Sequence, residues 1–171
     1  MDSDGDGFRE KDGQPLEILM INVFTEELGT MVQSQLKQIG IDAKIDFVPG
    51  PIQLERAITG DFNTIYLHMA YADPGVLDML WNSKNLRPGG WSWSRFKDAR
   101  LDEVLNAAAV EMDPEKRCEL LVEAQQIIQE NALALPLRGG IKIAVHRDFV
   151  RGFKFGPRPN VDLWVYDAYV E

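Results

Sequence analysis

Apolar residues come along this chain in runs and stripes whose periods name the elements. Residues 16–24 (LEILMINVF) form a continuous apolar run, as expected of a strand buried on both faces. Thr25 stands where a helix cap belongs, and Leu28, Met31, Val32, Leu36 and Ile39 follow at helical spacing, with Gly40 as the stop. In residues 43–48, Ile45 and Phe47 alternate with Lys44 and Asp46, which predicts a second strand. Pro51 opens a short helix through Leu54, Ala57 and Ile58 that Gly60 closes, and residues 63–69 give a third strand. Strand–helix–strand–helix–strand with such short connections implies a parallel sheet with right-handed crossovers.

Beyond the third strand, Asp73 precedes Pro74 as cap and first helical position, with Val76, Leu77 and Leu80 turned inward. Two longer helices are predicted next. One covers residues 99–112 and buries Leu101, Val104, Leu105 and Ala108. The other is capped by Asp113, opens at Pro114, and presents Leu120, Leu121, Ala124, Ile127 and Ile128 on one face. After Asn131 the pattern returns to strands, at residues 134–137, 141–145, 150–155 and 163–170. The expected architecture is α/β: a parallel βαβαβ core with further helices and C-terminal strands, as one domain over residues 1–171.

Composition narrows the function classes. Hydrophobic residues make up 45% and charged residues 26% of the 171, the balance of a globular chain. The formal charge is −9, from 27 acidic against 18 basic residues, with no basic cluster, which argues against nucleic acid and anionic membranes as partners. No apolar run reaches the ~20 residues of a membrane-spanning helix. Met1 stands directly before a turn, which reads as a chain cut from something longer. The single cysteine, Cys118, excludes an internal disulfide, and its apolar helical neighbours predict a buried side chain. With one cysteine and two distant histidines, His68 and His146, no metal-site spacing is present.

The opening segment DSDGDG starts as a calcium-binding EF-hand loop does, with Asp2, Asp4 and Asp6 followed by Gly7. The twelfth position, which must carry a bidentate carboxylate, is Gly13. The normally apolar eighth is Arg9, and no helix precedes the loop. Two polar turns, the second at Lys11-Asp12-Gly13, account for the segment instead.

Ligands of open parallel sheets bind beyond the carboxyl ends of the strands. This singles out His68, Met69, Ala70, Tyr71 and Asp73, which place an imidazole, a phenol and a carboxylate within six residues. A second candidate is the glycine-loosened stretch Gly89 to Arg95, where Trp91, Trp93 and Arg95 could line a pocket. The plainer roles are a helix cap for Asp73, a core imidazole for His68 and an anchor for one of the tryptophans. Phosphate loops, nucleophile elbows and zinc-protease motifs do not occur. The adjacent acids Asp102 and Glu103 diverge on a helix and suit solvent. Neither a catalytic set nor a cofactor is implied.

Taken in order, five segments resemble the C-terminal lobe of the family 5 extracellular solute-binding proteins of ABC importers, the dipeptide- and oligopeptide-binding type. They are DGDGFREKDGQPLEILM, QLKQIGIDAKI, YADPGVLDMLWNS, MDPEKRCELLVEAQQIIQENALALPL and VRGFKFGP. The resemblance implies a type II periplasmic-binding-protein-like lobe, whose missing N-terminal lobe closes over a peptide-like or other small solute by a hinge. It further implies a periplasmic or extracellular, in some cases lipid-anchored, receptor that hands solute to permease subunits without chemistry. One departure stands out. Peptide binders of this type often place an aspartate four residues before the loop proline to pair with the ligand's α-ammonium group. Here that position is Ala70, and the position of a frequent tryptophan is Leu67. Unless Asp73 substitutes, free peptide amino termini lose their anchor. An isolated lobe is expected to bind weakly. The competing reading is a stand-alone interaction or sensing module derived from the same lobe.

Overall fold

The computed structural model describes residues 2, 5–22, 26–69, 71, 73–86, 89–137, 139, 143–156 and 163–171, with backbone alone at 22, 163 and 164. They fall into two compact units, Met1–His68 and Met69–Glu171.

In the first unit, β1 (Glu10–Lys11) and β2 (Gln14–Pro15) pair antiparallel around Asp12 and Gly13, whose φ values are 55° and 73°. Two successive positive φ angles suit the right-handed twist of a hairpin, and Asp-Gly tolerates them best. The apolar run forms β3 (Glu17–Asn22), the centre of a parallel sheet ordered β4–β3–β5. Its neighbour β4 (Asp42–Phe47) runs in register from Glu17 opposite Asp42 to Asn22 opposite Phe47. Between them, α1 (Glu26–Gln38) packs on β4, and the Gln33 amide donates to the Ala43 carbonyl at 2.6 Å. Thr25 and Phe24 lie outside the described residues. Gly40 ends the crossover with φ 81°, and its carbonyl accepts from the Arg9 amide at 2.7 Å.

The second crossover is α2 (Gly50–Thr59), with Pro51 in its first turn and Gly60 closing it at φ 84°. The expected third strand is shorter than its sequence pattern. Only Thr64 and Ile65 (β5) pair with β3. Upstream, the Asn63 side chain takes the Leu19 amide at 2.7 Å while its own N–H donates to the Leu19 carbonyl at 3.0 Å. Downstream, the buried Gln53 donates to the Tyr66 carbonyl. Side chains thus do part of the work of a sheet ladder.

The second unit is built on helices. α3 (Val76–Trp81) leads through a 3₁₀ turn, Ser83–Asn85, to α4 (Ala99–Val110) and α5 (Pro114–Glu130). Both long helices are capped by aspartate. Asp98 accepts from the Leu101 amide at 2.7 Å, and Asp113 from the Glu115 amide at 2.9 Å. Leu101, Val104, Leu105, Ala124 and Ile128 make the core between them, with Leu77, Trp81, Phe96, Leu120 and Ile127 packed around it. Each fully buried leucine, isoleucine or valine among them stabilises by about 1.5–3 kcal/mol. Cys118 is exposed, contrary to expectation. The buried stripe Leu121–Ala124–Ile128 extends backwards by four residues to Arg117, so Cys118 falls outside it.

The C-terminal strands are the main correction. Residues 134–137 form no strand, nor do 143–145, and 141–142 lie outside the described residues. The expected strands at 150–155 and 163–170 are each divided. β6 (Val150–Arg151) pairs antiparallel with β9 (Tyr169–Val170), and β7 (Lys154–Phe155) with β8 (Leu163–Trp164). The break falls at Gly152, which has φ 72° and whose Cα lies so close to the Asp167 carbonyl that a Cβ would overlap it.

Candidate ligand-binding site

The strand-end segment begins with His68, exposed at the end of the first unit, while Met69, half-buried, opens the second. Ala70 lies outside the described residues. Tyr71 is 55% exposed, a ring presented to solvent. Asp73 is fixed from two sides. Its carboxylate accepts a bidentate pair from Arg117 on α5, at 2.8 and 3.3 Å, and a further bond from the Gly75 amide. The Arg117 hydrogen bonds, and then the Gly75 N–H, hold the Asp73 carboxyl below the usual carboxylate range. Arg117 is itself oriented by donating Nε–H to the Ala108 carbonyl at 3.2 Å. Gly75 leaves room for this contact, since a Cβ would sit 2.8 Å from the Asp73 Oδ1 and push the carboxylate aside. A crevice of about 220 Å³ lies between the start of α3 and helices α4 and α5, lined by Gly75, Asp78, Leu105, Ala108, Arg117 and Leu121.

The tryptophan segment is anchored differently. Asn82, buried at the end of α3, donates to Asp78 at 2.8 Å and Asn106 at 3.1 Å, and Lys84 bridges the same two acceptors. Asp102 accepts from the amide and hydroxyl of Ser83. It therefore ties two elements together where its sequence suited solvent. This frame holds Asn85, whose carbonyl accepts from the Ser92 amide at 2.9 Å. Gly90 lies against the Asn85 backbone so closely that any side chain would overlap it. Trp91 and Trp93 stack, ring centroids 5.4 Å apart and planes 25° off parallel. Trp93 is buried and is the anchor, whereas Trp91 is 45% exposed. Arg95, exposed, holds φ 58°. Among the described residues, Ser92 Oγ and Trp93 Nε1 are buried with no hydrogen-bond partner.

At the chain's beginning, Asp2 closes its turn by accepting from the amides of Gly5 and Gly7 at 2.8 and 3.0 Å, and Asp6 accepts from Phe8. Carboxylate oxygens of Asp2, Asp6 and Glu10 come within 4.8 Å of one another, Asp2 and Asp6 being exposed and Glu10 half-buried. This is the polar turn the sequence predicts, with Glu10 folded back onto it.

Sequence reasoning missed Arg117 and Ser92. Arg117 is 44 residues from Asp73, and nothing local links them. Ser92 is a small polar residue in a loop, and only packing buries it.

No family model matches the chain. Over 136 residues it is 27% identical to probable di/tripeptide-binding protein 5 of Pseudomonas aeruginosa, covering 78% of this chain and 26% of that protein. Among solved structures, NikA from Brucella suis in complex with Fe(III)-EDTA superposes with TM-score 0.66 at 27% identity, over 79% of this chain and 28% of that one. The oligopeptide-binding protein AppA from Bacillus subtilis, in complex with a nonapeptide, superposes over the whole chain with TM-score 0.73 at 20% identity, covering 35% of its own length. The chain resembles part of a peptide-binding protein in both sequence and fold. It spans about a quarter to a third of the length of these relatives. Its α/β fold is that of the periplasmic-binding-protein-like family 5 structures, and the relatives are binding proteins. Within this fold, the segment YADPGVLDMLWNS supplies Tyr71, Asp73 and α3, and MDPEKR supplies the cap and Arg117 of α5.

Proposed function

We propose that this chain is one ligand-binding lobe, the C-terminal one, of a longer bilobed receptor of an ABC importer. Its role is to help enclose a peptide-like or other small solute and deliver it to membrane permease subunits at the periplasmic or extracellular face. It performs no chemistry on the solute, and a second, N-terminal lobe supplies the other wall. The observation that carries this reading is the 27% identity to a di/tripeptide-binding protein over most of the chain. The parallel sheet supports it, since β3, β4 and β5 all point their carboxyl ends the same way and the strand-end loop follows there.

The ligand contacts on this lobe are His68, Met69, Tyr71, Trp91 and Arg95, with Ala70 added by its sequence position alone, while Trp93, also a candidate from its sequence position, is buried and anchors its loop. Asp73, also a candidate from its sequence position, is better assigned to shaping the loop, because Arg117 and Gly75 already occupy its carboxylate. With Ala70 at the usual acidic position, no free carboxylate of this loop is left to anchor a peptide amino terminus. The receptor therefore tolerates a blocked one. Native mass spectrometry of the full-length protein tests the receptor reading: a co-purified small molecule of peptide or sugar mass is expected. Full-length protein that carries none and binds no peptide in calorimetry would overturn it. Calorimetry with trialanine and N-acetyl-trialanine tests the amino-terminus claim, with affinities within about threefold expected; a hundredfold preference for the free amine, ~2.7 kcal/mol, would refute it.

A further inference from the structure

Trp91, 45% exposed, stands between two neighbours that share one support. The Ser92 N–H donates to the Asn85 carbonyl at 2.9 Å, and Leu86 and Ser92 form a parallel bridge. On the other side, the Gly90 Cα lies so close to the Asn85 backbone that a Cβ would overlap its carbonyl oxygen. With residues 90 and 92 both set against Asn85, the backbone that carries the Trp91 indole follows that residue. Stacking on the buried Trp93 then fixes the plane of the indole.

Asn85 is placed in turn by its own polar groups. Its Nδ2 donates to the Asp78 carbonyl of α3 at 2.7 Å, and its N–H to the Asn82 carbonyl at 3.0 Å. Two donors and two acceptors close a square around the same turn. Asn82 Nδ2 and Lys84 Nζ each donate to both Asp78 Oδ1 and Asn106 Oδ1, at 2.8–3.1 Å. Asn82 is 1% exposed, and its Oδ1 accepts from the Lys84 N–H, so the buried amide is paired through both its nitrogen and its oxygen. The Lys84–Asp78 bond is charge-assisted and so among the stronger of the set. Resting on the reading of Trp91 as a ligand contact, we propose that Asn85 is a positioning residue for ligand binding. It sets the place of the Trp91 indole through Gly90 and Ser92, while the square of Asp78, Asn82, Lys84 and Asn106 sets the place of Asn85. Asn85 acts through the loop and does not itself touch the ligand.

Asn85→Ala in the full-length protein is the test. It removes the Nδ2 bond to Asp78 and keeps the backbone carbonyl that Ser92 uses. Circular dichroism reads the exciton couplet of the stacked indoles without ligand, and calorimetry reads affinity for trialanine. Leu105→Ala is the contrast, because it weakens the α4–α5 core and removes no donor or acceptor of this network. Asn85→Ala is expected to weaken the couplet and to lower trialanine affinity by about tenfold. Leu105→Ala is expected to melt lower than Asn85→Ala, yet to keep the wild-type couplet and affinity below its melt. A wild-type couplet in Asn85→Ala would overturn the proposal, since Trp91 would hold its place unaided. So would a couplet weakened to the same degree in Leu105→Ala, which would make the indoles reporters of general packing. A weakened couplet with trialanine affinity within about twofold of wild type would overturn the binding role. Wild-type protein that binds no trialanine would overturn that role together with the peptide-receptor reading, and the couplet would still decide whether Asn85 places the indole. Asn85→Asp, of the same shape but without the side-chain N–H donors, should reproduce both losses. A wild-type result there would overturn the role given to the amide.

Discussion

Two loops of the second unit solve the same problem in opposite ways. The segment around Asp73 has every visible charge engaged: a bidentate arginine, a backbone amide and a glycine shaped to fit. The segment from Gly90 to Arg95 is just as firmly seated at its glycine end, yet it carries two unpaired donors and a left-handed arginine. Ion pairing at a surface gives shape for little stability, since water screens it. Unpaired buried donors cost stability, because they forfeit the hydrogen bonds they made to water. The first loop is tied by charge to α5, and the second by backbone bonds and glycine contact to Asn85.

The contrast can be broken from beneath or sharpened within. Leu105→Ala removes a side chain that is 1% exposed in the α4–α5 core and lines the crevice beside Gly75 and Arg117, and should destabilise by about 2–5 kcal/mol in urea denaturation. A loss below 1 kcal/mol would mean that this cluster is not the main core of the unit. Gly90→Ala forces a methyl group into the Asn85 carbonyl and should cost about 1–3 kcal/mol, with altered tryptophan emission from the Trp91–Trp93 stack. Arg95→Gly relieves the left-handed angle and should stabilise by about 1 kcal/mol, the opposite sign for a change five residues away. At the Asp73 loop the expected effects are local. Arg117→Gln should raise the Asp73 carboxyl midpoint toward the ordinary value of about 3.9 and speed exchange of the Gly75 amide.

The pH dependence of that pair has a definite sign. Folding lowers the Asp73 carboxyl midpoint, so its contribution is fully present above the unfolded value of about 3.9 and is lost as pH falls through the lower, folded one. A carboxyl carbon titration of wild type and Arg117→Gln by NMR checks this. Coincident midpoints would separate Arg117 from the loop.

Much of the frame was legible in the order of residues. The apolar run of β3, the glycine stops at Gly40 and Gly60, the Asp113 cap and the Leu101–Val104–Leu105–Ala108 stripe are local codes, because period and capping depend on neighbours a turn away. The likeness to solute-binding proteins was legible for the same reason, since it rests on ordered local motifs. The tertiary structure alone decided the rest. Residues 134–137 have strand-like composition, yet a strand needs a partner edge, and Leu135 is left 76% exposed. Arg117 reaches Asp73 only because α5 packs beside α3's entry loop, and Cys118 is exposed because Arg117 took the inward position. That one tryptophan anchors its loop was expected, but only packing chose Trp93, buried Ser92 beside it, and left the donors of both without a partner among the described residues. Local propensity writes the elements, but which polar groups are satisfied is settled by what lies across space from them.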